Sequence, residues 1–175
     1  MINKIFVING SGGVGKDTFV SLFREVSKDF MRTINYSSVD RIKEIAREIG
    51  WSGEKDEKSR KFLSDLKVLC SEYNDLPFKC MNKVVEENKN KHDTVIFLHI
   101  REPQEIKRAC KEFEAKSILI KRDSIKHIVS NEGDKNVFDY KYDIVINNDK
   151  DIRSLKRKAN RLFVDVLLNS INKEY

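Results

Sequence analysis

Apolar residues in this chain gather into short unbroken runs, separated by longer stretches where they recur at helical spacing. The runs include Ile5-Phe6-Val7-Ile8, Val95-Ile96-Phe97-Leu98, Ile118-Leu119-Ile120 and Ile144-Val145-Ile146. An unbroken run such as Val95–Leu98 marks a strand buried on both faces, as in a parallel sheet. Strands are expected over about 4–9, 31–36, 93–99, 117–120 and 143–146. Helices are expected over about 15–28, 37–49, 56–73, 76–89 and 103–113. Phe62, Leu66, Leu69 and Tyr73 recur at helical spacing in the third of these. A closing helix puts Ile152, Leu155, Ala159, Leu162, Phe163 and Val166 on one face. Ser37 and Ser38 are suited to cap the second helix, and Gly50 to end it. Pro77 and Pro103 suit first turns. The polar stretch Lys121–Lys141, which contains Gly133, reads as a loop or small lid.

Strands alternating with helices predict an α/β fold, a parallel sheet covered on both faces. Ligands of such sheets sit beyond the carboxyl ends of the strands. That singles out 10–18, 37–43, 99–102 and 121–126, and three of these four segments are rich in basic residues.

The first of them is Gly10-Ser11-Gly12-Gly13-Val14-Gly15-Lys16-Asp17-Thr18. Four of the seven glycines in the chain fall here, at 10, 12, 13 and 15, between an expected strand and an expected helix. Glycines let the backbone turn tightly and aim successive N–H groups at phosphate oxygens. The helix start adds unpaired N–H groups and the positive end of its dipole. Lys16 brings a mobile positive charge for the β- and γ-phosphates. This is the layout of a P-loop, with Asp17 where Ser or Thr is usual and Thr18 after it. It points to binding of ATP.

Composition narrows the partners. The 175 residues fit one compact domain, 1–175, with 39% hydrophobic and 35% charged residues. The net charge of +6 suits an anionic small molecule, and the basic and acidic residues are mixed along the chain. No stripe of interleaved aromatic and basic residues suggests single-stranded nucleic acid, so no nucleic-acid partner is expected. No run approaches a signal peptide or a membrane span, so a cytoplasmic protein is expected. Cys70, Cys80 and Cys110 form no C-x-x-C pair and read as buried, reduced thiols. His92, His99 and His127 lack metal-ligand spacing. A GTPase would need a guanine-reading N-K-x-D, which Asn82-Lys83-Val84-Val85 does not supply.

Gly15-Lys16-Asp17-Thr18 resembles the G-K-D variant of the P-loop found in deoxynucleoside monophosphate kinases of the bacteriophage type and in animal-type phosphomevalonate kinases. The resemblance continues in order along nearly the whole chain. Ser38-Val39-Asp40-Arg41-Ile42-Lys43-Glu44 is similar to the segment that carries a substrate-side lysine, matched by Lys43. Ile100-Arg101-Glu102-Pro103-Gln104-Glu105 is similar to D-x-R-x-x-x-E, matched at Arg101 and Glu105. Lys121-Arg122, His127 and Glu132 resemble an arginine-containing lid, here about 122–136. Tyr142-Asp143-Ile144-Val145-Ile146-Asn147-Asn148 resembles the final D-x-V-I-x-N strand.

The resemblance implies a three-layer α/β/α nucleoside monophosphate kinase fold, with a five-stranded sheet in the order 2-3-1-4-5 and a short lid. It implies transfer of the γ-phosphoryl of ATP, with Mg²⁺, to a phosphorylated small molecule, with a (deoxy)nucleoside monophosphate favoured and a phosphomevalonate-type metabolite the rival. Lys16, Arg122 and Arg101 are then the catalytic candidates, and Gly10, Ser11, Gly12, Gly13, Val14, Gly15, Lys16, Asp17 and Thr18 hold the nucleotide. Asp40, Lys43 and Arg101 are the acceptor-side candidates, and Asp17 is the metal-side candidate. One departure stands out. The strand that would end in Asp ends in His99, and hard cations prefer oxygen to imidazole nitrogen. That substitution motivates a second reading, a nucleotide-binding regulator with little turnover.

Overall fold

The computed structural model describes residues 4–91, 93–123 and 136–171, with side chains to 168. The expected lid therefore lies outside the described residues apart from its two ends, and His127 and Glu132 lie there with it. The chain divides into two compact units: Tyr36–Asn90 forms one, and the residues on either side of it form the other.

The sheet is five-stranded and parallel, with the strands in spatial order β2-β3-β1-β4-β5. The strands are β1 (Ile5–Asn9), β2 (Arg32–Ser37), β3 (Thr94–His99), β4 (Lys116–Lys121) and β5 (Ile144–Asn147). Register places Ile8 beside His99 on one side and Ile118 on the other, so β1 lies at the centre. The pleat divides the apolar runs into two sets. Phe6, Ile8, Val95, Phe97, Ile118 and Ile120 face α1 (Lys16–Ser27) and the closing helix α6 (Ile152–Ile171). Phe19, Phe23, Leu155, Ala159 and Phe163 complete that core, and the ring of Phe97 lies 5.0 Å from that of Phe23 and 5.4 Å from that of Phe6. Val7, Ile96 and Leu98 point the other way and are also buried, as are Ile106 and Ala109 of α5 (Pro103–Glu112). Both faces of the central strands are thus covered, which explains why they carry no alternation of polar residues.

The unit Tyr36–Asn90 is built mainly of helices. It holds α2 (Asp40–Glu48), α3 (Glu57–Asn74) and α4 (Leu76–Glu86). Asp56 caps α3 by accepting from Ser59 N at 2.7 Å. Asp75, at φ 58°, both ends α3 and opens α4, and Pro77 sits in the first turn of α4.

Two expectations need correction, the serine cap of α2 and the burial of the cysteines. Neither Ser37 nor Ser38 caps α2: the cap position is Val39, with no side-chain bond, and the Asp40 carboxylate instead accepts from Ser37 N at 2.8 Å. α3 forms where its helical spacing predicts it, with Leu69 62% and Tyr73 88% exposed. Ile152 is exposed as well, while the rest of its stripe on α6 is buried. The three cysteines are unpaired and only half-buried. Among the described residues, no helix is long and apolar enough to cross a membrane.

Candidate functional site: the glycine loop and the strand ends around it

β1 ends at Asn9, and the chain reverses through Gly10–Gly15 into α1. Gly10, Gly13 and Gly15 have φ of 149°, 78° and 98°, in the region that favours glycine. Two of these positions are also closed by their neighbours. A Cβ at Gly10 would lie 2.3 Å from the carbonyl oxygen of Ile120, and one at Gly15 would lie 2.6 Å from Nδ2 of Asn148. Ser11 and Val14 are buried, while Gly12 and Gly13 are exposed. Gly15 takes the cap position of α1 with no side-chain bond. No cap side chain therefore competes with an anion for the start of α1, where the helix dipole favours negative charge.

Lys16 Nζ donates to the carbonyls of Gly10 at 2.5 Å and Ser11 at 2.9 Å, which holds the ammonium over the loop. Asp17 and Thr18 follow in the first turn of α1, and both are exposed. An acid there is favoured by the helix dipole.

Asn9 was not singled out by its sequence, yet it ties the loop to its surroundings. It is fully buried. Its Oδ1 accepts from Gly10 N at 2.8 Å, and its Nδ2 donates to Arg101 O at 3.1 Å and to the Tyr142 hydroxyl at 2.7 Å. That hydroxyl donates on to Val137 O at 2.8 Å. Burial pushes the Tyr142 phenol up to about 12. The available signal was a lone polar residue closing an apolar run just before the first loop glycine.

Asn148 plays a similar part from the other side. Its Nδ2 donates to Val14 O at 2.9 Å, and its backbone N–H donates to Lys121 O at 2.7 Å. The next residue, Asp149, accepts from Asp123 N at 2.6 Å. Arg122 is thus fixed on both sides to the segment that follows β5. It lines a cavity of about 400 Å³ together with Ser11, Val14, Leu119, Phe138 and Val145. The structure therefore brings Arg122 beside the glycine loop.

Arg101 lies exposed in the turn between β3 and α5, and its backbone is held to Asn9. Asp40 and Lys43 belong to the helical unit, on α2. Their charged groups are 3.9 Å apart, and the Asp40 carboxylate is already engaged by Ser37 N. At the end of β3, His99 Nε2 lies 2.6 Å from Asn35 Oδ1 and 3.8 Å from Asp17 Oδ1.

A parallel sheet in this strand order, with a glycine loop between the central strand and the first helix, is a three-layer P-loop α/β fold. No family model matches the chain, and no curated protein sequence matches it. Among solved structures, TT1252 from Thermus thermophilus is similar over 94% of this chain and 98% of its own, with a TM-score of 0.53 and 14% identity. Shikimate kinase from Aquifex aeolicus vf5 aligns over 95% of this chain and 98% of its own, with a TM-score of 0.48 and 16% identity.

Proposed function

We propose that the protein is an ATP-dependent phosphotransferase that moves the γ-phosphoryl group to a phosphate oxygen of a small molecule, with a (deoxy)nucleoside monophosphate the favoured acceptor. The observation that carries this reading is the glycine loop itself. Three left-handed glycines, the N-terminus of α1 and the Lys16 ammonium converge on one concave backbone turn. That donor set fits a polyphosphate.

In this reaction an acceptor oxygen bonds to the γ-phosphorus as the bond to the β–γ bridging oxygen breaks, and ADP leaves. Such a transfer requires positioning and neutralised charge rather than covalent help. Lys16 exchanges its two carbonyl partners for β- and γ-phosphate oxygens. Arg122, fixed at the end of β4 beside Ser11, neutralises charge on the group in flight. Arg101 is the acceptor-phosphate candidate of the larger unit, and Lys43, with its ammonium 3.9 Å from the Asp40 carboxylate, is that of the helical unit. The exposed Asp17 carboxylate is a hard oxygen donor at the phosphate end of α1 and fits Mg²⁺, directly or through water. Bound there, the ion would offset phosphate charge.

The test is ADP release from Mg-ATP against a panel of nucleoside monophosphates and phosphomevalonate. Turnover that depends on one acceptor, and that falls at least ~100-fold in Lys16→Ala, supports the proposal. Tight ATP binding without turnover on any acceptor favours the second reading, a nucleotide-binding regulator. His99, in place of a carboxylate at the end of β3, is the feature that favours that reading.

A further inference from the structure

Three side chains meet at the ends of β2, β3 and the glycine loop. The imidazole nitrogen of His99 has the amide oxygen of Asn35 and a carboxylate oxygen of Asp17 near it. His99 Nε2 is 2.6 Å from Asn35 Oδ1 and 3.8 Å from Asp17 Oδ1. The imidazole is largely enclosed, with 12% of the side chain exposed, whereas the Asp17 carboxylate is 87% exposed. One partner is therefore fixed and the other is able to swing.

These spacings are close to those of ligands around one ion. Nitrogen and oxygen ligands about 2.1 Å from a metal lie roughly 3.0 Å apart in an octahedron and roughly 3.4 Å apart in a tetrahedron. The two observed distances fall on either side of that range. A small rotation of the exposed Asp17 closes the longer gap, and a proton shift to Nδ1 of His99 turns Nε2 from hydrogen-bond donor into ligand.

We propose that Asp17, His99 and Asn35 form a cation seat beside the phosphate loop that favours a borderline divalent ion, of the Mn²⁺ or Zn²⁺ type, over Mg²⁺. The proposal rests on the nucleotide-binding reading above. Mg²⁺ demands oxygen ligands and near-ideal octahedral geometry. Replacing a strand-end carboxylate with imidazole penalises it, whereas imidazole suits the later first-row ions. Among the described residues, no group of three His, Cys, Asp or Glu side chains is placed to hold a metal. Two such groups and one amide leave the coordination shell to be completed by phosphate oxygens. The seat therefore fills together with nucleotide and not before it.

The experiment is pulsed electron paramagnetic resonance on the protein with Mn²⁺ and ADP, together with calorimetric titration of ADP in Mn²⁺ and in Mg²⁺. The expected result is a nitrogen coupling from a metal-bound imidazole that changes in ¹⁵N-histidine-labelled protein and vanishes in His99→Asp. The ADP affinity ratio of Mn²⁺ to Mg²⁺ should fall by about tenfold or more in the same variant. Circular dichroism verifies its fold, and His99→Asn replaces it if it does not fold. ADP binding with Mn²⁺ but without a histidine nitrogen coupling overturns the cation seat and leaves the nucleotide site standing. An affinity ratio unchanged in the variant also overturns the seat. Failure to bind ADP with or without metal overturns both.

Discussion

Asn9→Leu is the substitution that most directly tests how the glycine loop is held. Leucine has the same branched outline but is bulkier, so no cavity opens and any overpacking at this fully buried position adds to the loss of hydrogen bonds. Three bonds are lost: Gly10 N to Oδ1 at 2.8 Å, Nδ2 to Arg101 O at 3.1 Å, and Nδ2 to the Tyr142 hydroxyl at 2.7 Å. The Tyr142 hydroxyl keeps Val137 O, and Arg101 lies where water can reach it. The Gly10 N–H is buried beneath the loop and has no substitute partner. At about 1–3 kcal/mol for an orphaned buried group, the total comes to about 2–4 kcal/mol. That is a large part of a typical stability of about 5–15 kcal/mol. With a urea dependence of about 2 kcal/mol per molar, the unfolding midpoint should fall by about 1–2 M, read by circular dichroism. Tyr142→Phe removes one of these bonds together with the hydroxyl's own bond to Val137 O, and should cost about 1–3 kcal/mol. The two losses should be less than additive, because they share that bond. An Asn9→Leu protein within about 0.5 kcal/mol of the parent would refute the assignment of Asn9 as the loop's anchor.

Other outcomes follow from neighbouring features. Gly10→Ala forces a Cβ to within 2.3 Å of a backbone oxygen at a φ of 149°, and should cost about 2–4 kcal/mol in the same unfolding assay. Lys16→Ala should leave the unfolding midpoint within about 0.5 kcal/mol of the parent while ADP affinity, measured by calorimetry, falls at least ~10-fold. Burial pushes the Asp143 carboxyl up, but hydrogen bonds from Ser117 Oγ and N outweigh it and hold the carboxyl below its usual value. Its stabilisation is therefore present above the unfolded value and lost as pH falls through the lower folded one, and Asp143→Asn should flatten the acid limb of a stability–pH curve. Tyr142 carries the opposite sign: its stabilisation is complete below about 10 and lost as pH rises through about 12, a loss absent from Tyr142→Phe.

The central strands and the glycine loop were legible because both are written locally. An apolar run covered on two faces needs no knowledge of its neighbours, and the loop's glycines, lysine and flanking elements are contiguous. The anchors were not legible, for the converse reason. Asn9 meets Arg101 and Tyr142 across 92 and 133 residues, and Asn148 meets Val14 across 134. An asparagine at a strand end looks the same whether it faces water or a buried amide. The α3 stripe gave its helix correctly and shows a different limit. Helical spacing reports that a side of the helix is apolar, and Leu69 and Tyr73 show that such a side need not be covered. Ser37 and Ser38 have the chemistry of a cap, but Asp40, three residues after Ser37, won the Ser37 N–H with a charged acceptor, the stronger kind of bond.

The Lys16 ammonium already has two carbonyl partners within its own loop. Recruiting it is an exchange, in which an incoming anion must outbid two oxygens that are held in place. A lone chloride or a single weakly held phosphate gains little from that trade. A chain of phosphates, which also engages the start of α1, gains on several fronts at once. On the proposed function, the self-contacts are a threshold that a small anion meets poorly and a polyphosphate filling the whole turn meets well.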